Sequence, residues 1–274
     1  MAEITAALVM KLREETGQPM MDCKAALTEA GGDMAAATKI LREKGKKLEG
    51  VRLGRDTEFG RIGVYSDDKA GALVEIMCES APVANGPDCR QFSEDCAKAL
   101  AAAKTDIADG DALLKEKSPS RPGTLAEQKD DMFNRLREVF KIGRLAKFTG
   151  TTVGYVHATG DLGSLVEFEG ADAATAKDIA MHIVATSPLA VNKEDLPAAE
   201  VEKERAFLTD QARKEGKPEN IIQKMIEGRM KNFYSARVLT EQPFVKDQEQ
   251  TVAALLKSKG MKITKFVNWK LGKS

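Results

Sequence analysis

Residues 60–80 read GRIGVYSDDKAGALVEIMCES, and residues 150–170 read GTTVGYVHATGDLGSLVEFEG. Each is an alternating apolar run, a polar turn and a second strand-like run, which is the pattern of a two-stranded hairpin. The stretches align as copies of one unit. Gly63-Val64-Tyr65 answers Gly154-Tyr155-Val156, and Leu73-Val74-Glu75-Ile76 answers Leu165-Val166-Glu167-Phe168. A lone hairpin cannot bury its apolar face, so each copy needs a cover. A helical pattern follows each one: Phe92, Cys96 and Leu100 after the first, and Ile179, Ile183 and Val184 after the second. The repeat predicts an α+β core of two duplicated subdomains.

Working outward, Met132, Leu136, Val139 and Phe140 mark a further helix between the copies. The connection Lys115–Thr124, with prolines, lysines and little apolar material, reads as a surface loop. Near the chain end, Val252, Leu255 and Leu256 form a helical face, while Ile263, Val267 and Trp269 alternate as a strand that completes one of the sheets. After Pro188, Val201, Leu208 and Ala212 face one way along one helix, and Ile222, Met225, Ile226 and Phe233 along another, with Gly216-Lys217-Pro218 as the turn. Stripes this narrow suit an antiparallel coiled-coil hairpin projecting into solvent. At the other end, Ile4, Leu8, Val9 and Leu12 repeat at helical spacing before a break at Gly17-Gln18-Pro19, as do Ala26, Leu27, Ala30, Ala36, Ile40 and Leu41 around a second break at Gly31-Gly32-Asp33. They read as a three-helix module ending near Gly45. The expected division is residues 1–48 for this module, 49–59 as linker, 60–148 as the first core subdomain, 149–192 with 243–274 as the second, and 193–242 as the hairpin.

The 274 residues are 42% hydrophobic and 31% charged, enough for two or three compact units. Lys+Arg and Asp+Glu are 42 each, so no net charge draws the whole chain to nucleic acid or an anionic membrane, and a protein partner fits better. No apolar run approaches the roughly 20 residues of a membrane span, and Met1-Ala2-Glu3-Ile4 lacks the character of a secretory signal, so a cytoplasmic location is expected. Cys23, Cys78, Cys89 and Cys96 form no CxxC pair, and His157 and His182 stand far apart, which argues against a disulfide framework or a zinc site. Phosphate-loop, dinucleotide-binding and hydrolase motifs are missing, so no cofactor, metal or covalent chemistry of its own is expected. Asp67-Asp68 and Asp130-Asp131 read as solvated faces.

Three blocks add a resemblance. Leu12–Leu27 reads LREETGQPMMDCKAAL, Lys224–Tyr234 reads KMIEGRMKNFY after a GKP at 216–218, and Leu239–Asp247 reads LTEQPFVKD. In this order they are similar to the bacterial translation elongation factor Ts family, with departures at Pro19 and Ala25. The resemblance implies a UBA-like N-terminal module ahead of the duplicated core and coiled coil. It also implies a guanine-nucleotide exchange factor that binds the GTPase elongation factor Tu, GDP-bound or nucleotide-free, and promotes GDP release. Direct nucleic-acid contact is not implied, and self-association through the core or the hairpin stays open.

By the same resemblance, Arg13, Met20 and Met21 dock on the GTPase, His157 of the second repeat faces it, and a wedge follows the second strand of the first repeat. Where the family has Thr-Asp-Phe-Val, this chain has Ser80-Ala81-Pro82-Val83. The carboxylate and the ring are absent. Pro82 is expected to present a smaller rigid apolar edge from a loop. The alternative is a diverged GTPase-binding holdase or scaffold with weak exchange, which the altered wedge keeps open.

Overall fold

The computed structural model describes residues 4–215 and 218–272. Helices α1 (Ala6–Thr16), α2 (Met20–Glu29) and α3 (Met34–Arg52) form the N-terminal module. Thr5 caps α1 by accepting the Leu8 N–H at 3.2 Å, and Asp33 caps α3 by accepting the Ala36 N–H at 2.9 Å. Leu12, Cys23, Ala26, Leu27 and Ala37 are fully buried between the helices. Ala37 takes the inward position expected of Ala36, which is exposed.

The module does not end near Gly45, because α3 continues to Arg52 and takes up the start of the expected 49–59 linker. The cause lies on helix α7 (Leu125–Leu136) of the core. Gly45 sits against Asn134, where a Cβ would fall 1.7 Å from Asn134 Oδ1, so only glycine fits this crossing. Arg42 pairs with Asp131 at 3.6 Å, Lys46 with Asp130 at 3.2 Å, and Glu49 with Lys129 at 2.5 Å. Asp130 and Asp131 are thus the seam between module and core rather than a solvated face.

In the core, β1 (Phe59–Ser66), β2 (Ala70–Cys78) and β3 (Lys141–Thr149) make one antiparallel sheet in the order β1-β2-β3. Asp67 accepts the Lys69 and Ala70 N–H groups at 2.7 and 2.8 Å and the Tyr65 hydroxyl at 2.9 Å, so it shapes the first turn. A short helix α4 (Ala81–Asn85), then α5 (Pro87–Ala102) and α6 (Gly110–Leu114), lead to α7. The second sheet has the order β4-β5-β8, from β4 (Thr152–Val156), β5 (Leu162–Glu169) and β8 (Lys262–Lys270). Helix α8 (Ala173–Thr186) covers it, with α11 (Val252–Ser258) and the small β6 (Pro243–Phe244) and β7 (Asp247–Thr251) pair alongside.

The layers follow from side-chain alternation. Ala72, Val74 and Ile76 of β2 pack toward α5 with Phe92, Cys96 and Leu100. Val166 and Phe168 of β5 pack toward α8 with Ile179 and Ile183. The other faces of both sheets meet, burying Ile62, Leu73 and Leu165 with Val64, Phe148, Val156, Val267 and Trp269 beside them. The order is helix, sheet, sheet, helix.

Two expectations change. Val64 pairs with Leu73 and Gly154 with Leu165, and both Leu residues line the seam between the sheets, so Gly154 answers Val64 rather than Gly63. The second turn is two residues longer between those pairs, and one residue of slip reverses the face. Helix α7 stops at Leu136, leaving Val139 and Phe140 buried in the connection to β3, a strand the helical reading of this segment hides.

Helices α9 (Ala198–Lys214) and α10 (Glu219–Arg237) run antiparallel. Leu208 and Ala212 meet Ile222, Ile226, Met230 and Phe233, with Val201 beside them. Of the expected turn, Gly216 and Lys217 lie outside the described residues. No helix among the described residues is long and apolar enough to cross a membrane.

Candidate functional site

The α1–α2 corner turns at Gly17, whose φ of 66° is left-handed and whose N–H closes on Arg13 O at 2.7 Å. Pro19 sits at the N-cap of α2. Cys23 and Leu27 turn inward, which leaves Met20 39% and Met21 72% exposed. Arg13 is exposed on α1. Met10, 51% exposed, shares a shallow depression with Arg13, Glu14 and Gly17. Sequence periodicity gives no reason to single it out, because it falls between the inward Val9 and Leu12.

The Ser80–Val83 segment is not a loop. Ser80 precedes the one-turn α4, and Pro82 occupies its first turn, where the absent N–H goes unmissed. Ala81 is half-buried, Val83 packs on the first core cluster, and Pro82 is exposed. Ser80 is held from behind: its N–H and hydroxyl both donate to Glu138, at 3.1 and 2.6 Å. Glu79 accepts the Val139 N–H at 2.8 Å and pairs with Arg55 at 2.9 Å. Burial opposes the Glu79 charge, but the Val139 N–H and the Arg55 guanidinium outweigh it and hold the carboxyl below the usual glutamate range.

Residue 137 connects this segment to the corner. The Arg137 guanidinium donates to Asp22 at 2.8 Å and to Gln18 at 3.1 Å, while its carbonyl accepts from Arg52 at 2.7 Å. Asp22, Arg137, Glu138 and Ser80 therefore form one tether between Met20-Met21 and Pro82. Arg137 and Glu138 follow the last turn of α7 and carry no periodicity, so the sequence gives no sign of this role.

His157 is elsewhere. It is exposed in the β4–β5 turn, where its N–H donates to Leu162 O at 2.9 Å and its Nδ1 lies 3.1 Å from the Tyr155 hydroxyl. Among the described residues no hydrogen bond or ion pair ties His157 to the corner or to α4. His182 is buried on α8: Val245 N–H reaches Nδ1 at 3.2 Å, and Nε2 is 2.8 Å from Gln242 Oε1. This pattern needs a neutral ring protonated at Nε2. Burial lowers its pKa, partly offset by Gln242. All four cysteines are buried and free, and the Cys89 thiol is pushed up by its contact with Cys78 and by burial. No cluster of His, Cys, Asp and Glu suited to a metal ion occurs among the described residues.

The family model described as Elongation factor TS matches residues 79–273, from the Glu79 clamp to the end of β8 and just beyond. The chain belongs to the elongation factor Ts family. It is 42% identical over 275 residues to Elongation factor Ts of Methylococcus capsulatus, covering 98% of this chain and 92% of that protein. It is also 39% identical over 274 residues to Elongation factor Ts of Alkalilimnicola ehrlichii, with the same two coverages. Against the Bordetella petrii protein of that name it is 40% identical over 277 residues, covering 99% and 92%. The alignments with these elongation factor Ts relatives include the N-terminal module, which the family model does not reach.

Proposed function

We propose that this chain binds elongation factor Tu carrying GDP and accelerates GDP release during translation elongation, without covalent chemistry of its own. The observation that carries the proposal, beside family membership, is the tether from Asp22 through Arg137 and Glu138 to Ser80. It holds the exposed methionine corner and the exposed Pro82 edge as parts of one frame. Exchange is negative coupling: a factor that prefers the emptied GTPase weakens GDP by the same ratio. A thousandfold ratio takes about 4 kcal/mol, which must come from contacts made well in only one state. A rigid pair of contact elements supplies such a difference better than a mobile one. Pro82 serves as a reduced wedge, fixed by the first turn of α4, and His157 supplies a separate contact.

The test is stopped-flow release of a fluorescent GDP analogue from elongation factor Tu of the same cell. Release is expected to accelerate in proportion to added protein, and Pro82→Gly to slow the accelerated rate about fivefold, equivalent to about 1 kcal/mol of lost preorganisation. A tight complex with no acceleration would favour the holdase alternative. An unchanged rate for Pro82→Gly would remove Pro82 from the wedge.

A further inference from the structure

Between α3 and β1, no residue of 53–58 is buried; Thr57 is half-buried and the rest are exposed. A connection without an apolar anchor takes its course from polar contacts, and among the described residues Arg55 makes all of those that reach the core. Its guanidinium donates to Glu79 Oε2 at 2.9 Å, and its carbonyl accepts from the Lys141 ammonium at 3.1 Å. Its N–H closes back on Arg52 O at 2.9 Å. Only Leu53 and Gly54 separate it from the end of α3, so a swing of the N-terminal module carries Arg55 with it. An exposed pair of this kind adds little to stability, because solvent screens it and the side chain gives up rotamer freedom to form it. Its value lies in what it fixes. Glu79 directly precedes Ser80, the N-cap of α4. Its Oε1 takes the Val139 N–H while Glu138 reaches back to Ser80, so residues 79–80 and 138–139 grip each other reciprocally. Arg52 attracts the Glu79 carboxylate too, and its own guanidinium holds Arg137 O. The end of the module therefore grips both sides of the clasp that carries Pro82.

We infer that Arg55 is a positioning residue for nucleotide exchange: by holding Glu79 it sets the angle at which α4 presents Pro82, and it couples docking of the module to entry of that edge. The inference rests on the exchange-factor reading and names the residue through which the two contact elements act together. Arg55 has no need to touch the GTPase. The module docks through Met20 and Met21 with or without it, so its effect falls on the step in which the docked GTPase gives up GDP.

The decisive measurement is catalysed release of a fluorescent GDP analogue from elongation factor Tu over a range of GTPase concentrations, which separates KM from kcat. Arg55→Ala is expected to lower kcat about fivefold and to leave KM within about twofold of the wild type. The contact with Glu79 is a single N–H to one oxygen rather than a fork, so Arg55→Lys is expected to restore most of the loss. Glu79→Gln keeps an acceptor for Val139 and removes the charge that Arg55 holds, so R55A and E79Q together are expected to lose no more than the worse of the two alone. The melting temperature of R55A is expected to stay within about 3 °C of the wild type. An unchanged kcat in R55A, with normal acceleration by the wild type, overturns this inference alone. Failure of the wild type to accelerate release overturns the exchange reading with it. A raised KM with unchanged kcat makes Arg55 a direct contact and overturns the positioning role. So does a loss that R55K fails to restore, or one that adds in full to that of E79Q.

Discussion

Arg137 adopts a left-handed φ of 59° without being glycine, a conformation that costs about 1 kcal/mol or more. Its surroundings offset that cost, since the carbonyl accepts from Arg52 and the guanidinium reaches Asp22 and Gln18. The reversal ends α7 and delivers Glu138 to Ser80. Glu138→Ala removes both acceptors at once. It is expected to cost about 1–2 kcal/mol of stability and to slow catalysed GDP release about tenfold, because α4 loses its backing. Comparing Tm with the release rate checks this, and a slowed rate restored by Glu138→Gln would identify a positioning role. Little of this was legible beforehand. Ser80, Ala81, Pro82 and Val83 stand out by comparison with a motif, but what holds them comes from a residue 58 positions away in sequence. No local pattern encodes that distance.

At the scale of elements, periodicity served well where one face is apolar and the other wet. The N-terminal helices, α5, α8 and the α9–α10 pair carry most of their stripes where spacing places them, with Ala37 inward instead of Ala36 and Met230 in the packed face of α10 instead of Met225. It failed where both faces are covered. The segment Lys141–Thr149 is half-buried along nearly its whole length, so it shows no clean alternation and β3 went unread. The length of α3 was missed for a related reason: its last turns are charged, and their burial depends on Lys129, Asp130 and Asp131. The α1–α2 corner supports a direct test. Met20 and Met21 are exposed while Leu12, Cys23 and Leu27 form the interior, so replacing both methionines by serine is expected to leave helicity unchanged and the stability within about 0.5 kcal/mol of the wild type. Affinity for elongation factor Tu is expected to fall tenfold or more, as for loss of apolar anchors. Equal losses of helicity and binding would return the pair to the core.

Across the whole molecule, long-range ties join what the sequence separates. Glu75 on β2 accepts from Arg144 at 2.7 and 3.0 Å and from the Gly272 N–H at 3.2 Å, fastening the end of β8 to the first sheet. His182 ties α8 to the chain returning from the helical pair, through Gln242 and Val245. This second tie is pH-sensitive. The folded pKa of His182 lies below its ordinary 6.5, so on acidification the unfolded chain takes up the proton first. Stability from this residue is present in full above pH 6.5 and is lost as pH falls through the lower folded value. Between pH 7 and pH 5, Tm is expected to fall less in His182→Gln than in the wild type. Equal slopes would show that the ring does not set this dependence. The duplicated core was legible because each copy repeats its own local pattern. The fusion of the two sheets was not, since it depends on the Gly154 phase and on side chains such as Phe148 and Trp269 meeting across the seam.

The chain leaves for α9 and comes back from α10 at one spot, where Leu189 N–H reaches Arg237 O at 2.7 Å and Leu239 N–H reaches Ala190 O at 2.9 Å. Two ends stitched this closely turn everything beyond them into a peninsula. Lengthening, trimming or replacing it leaves the shoreline of the second sheet intact, so evolution can redraw that reach for a new neighbour while the body of the protein stays as it is.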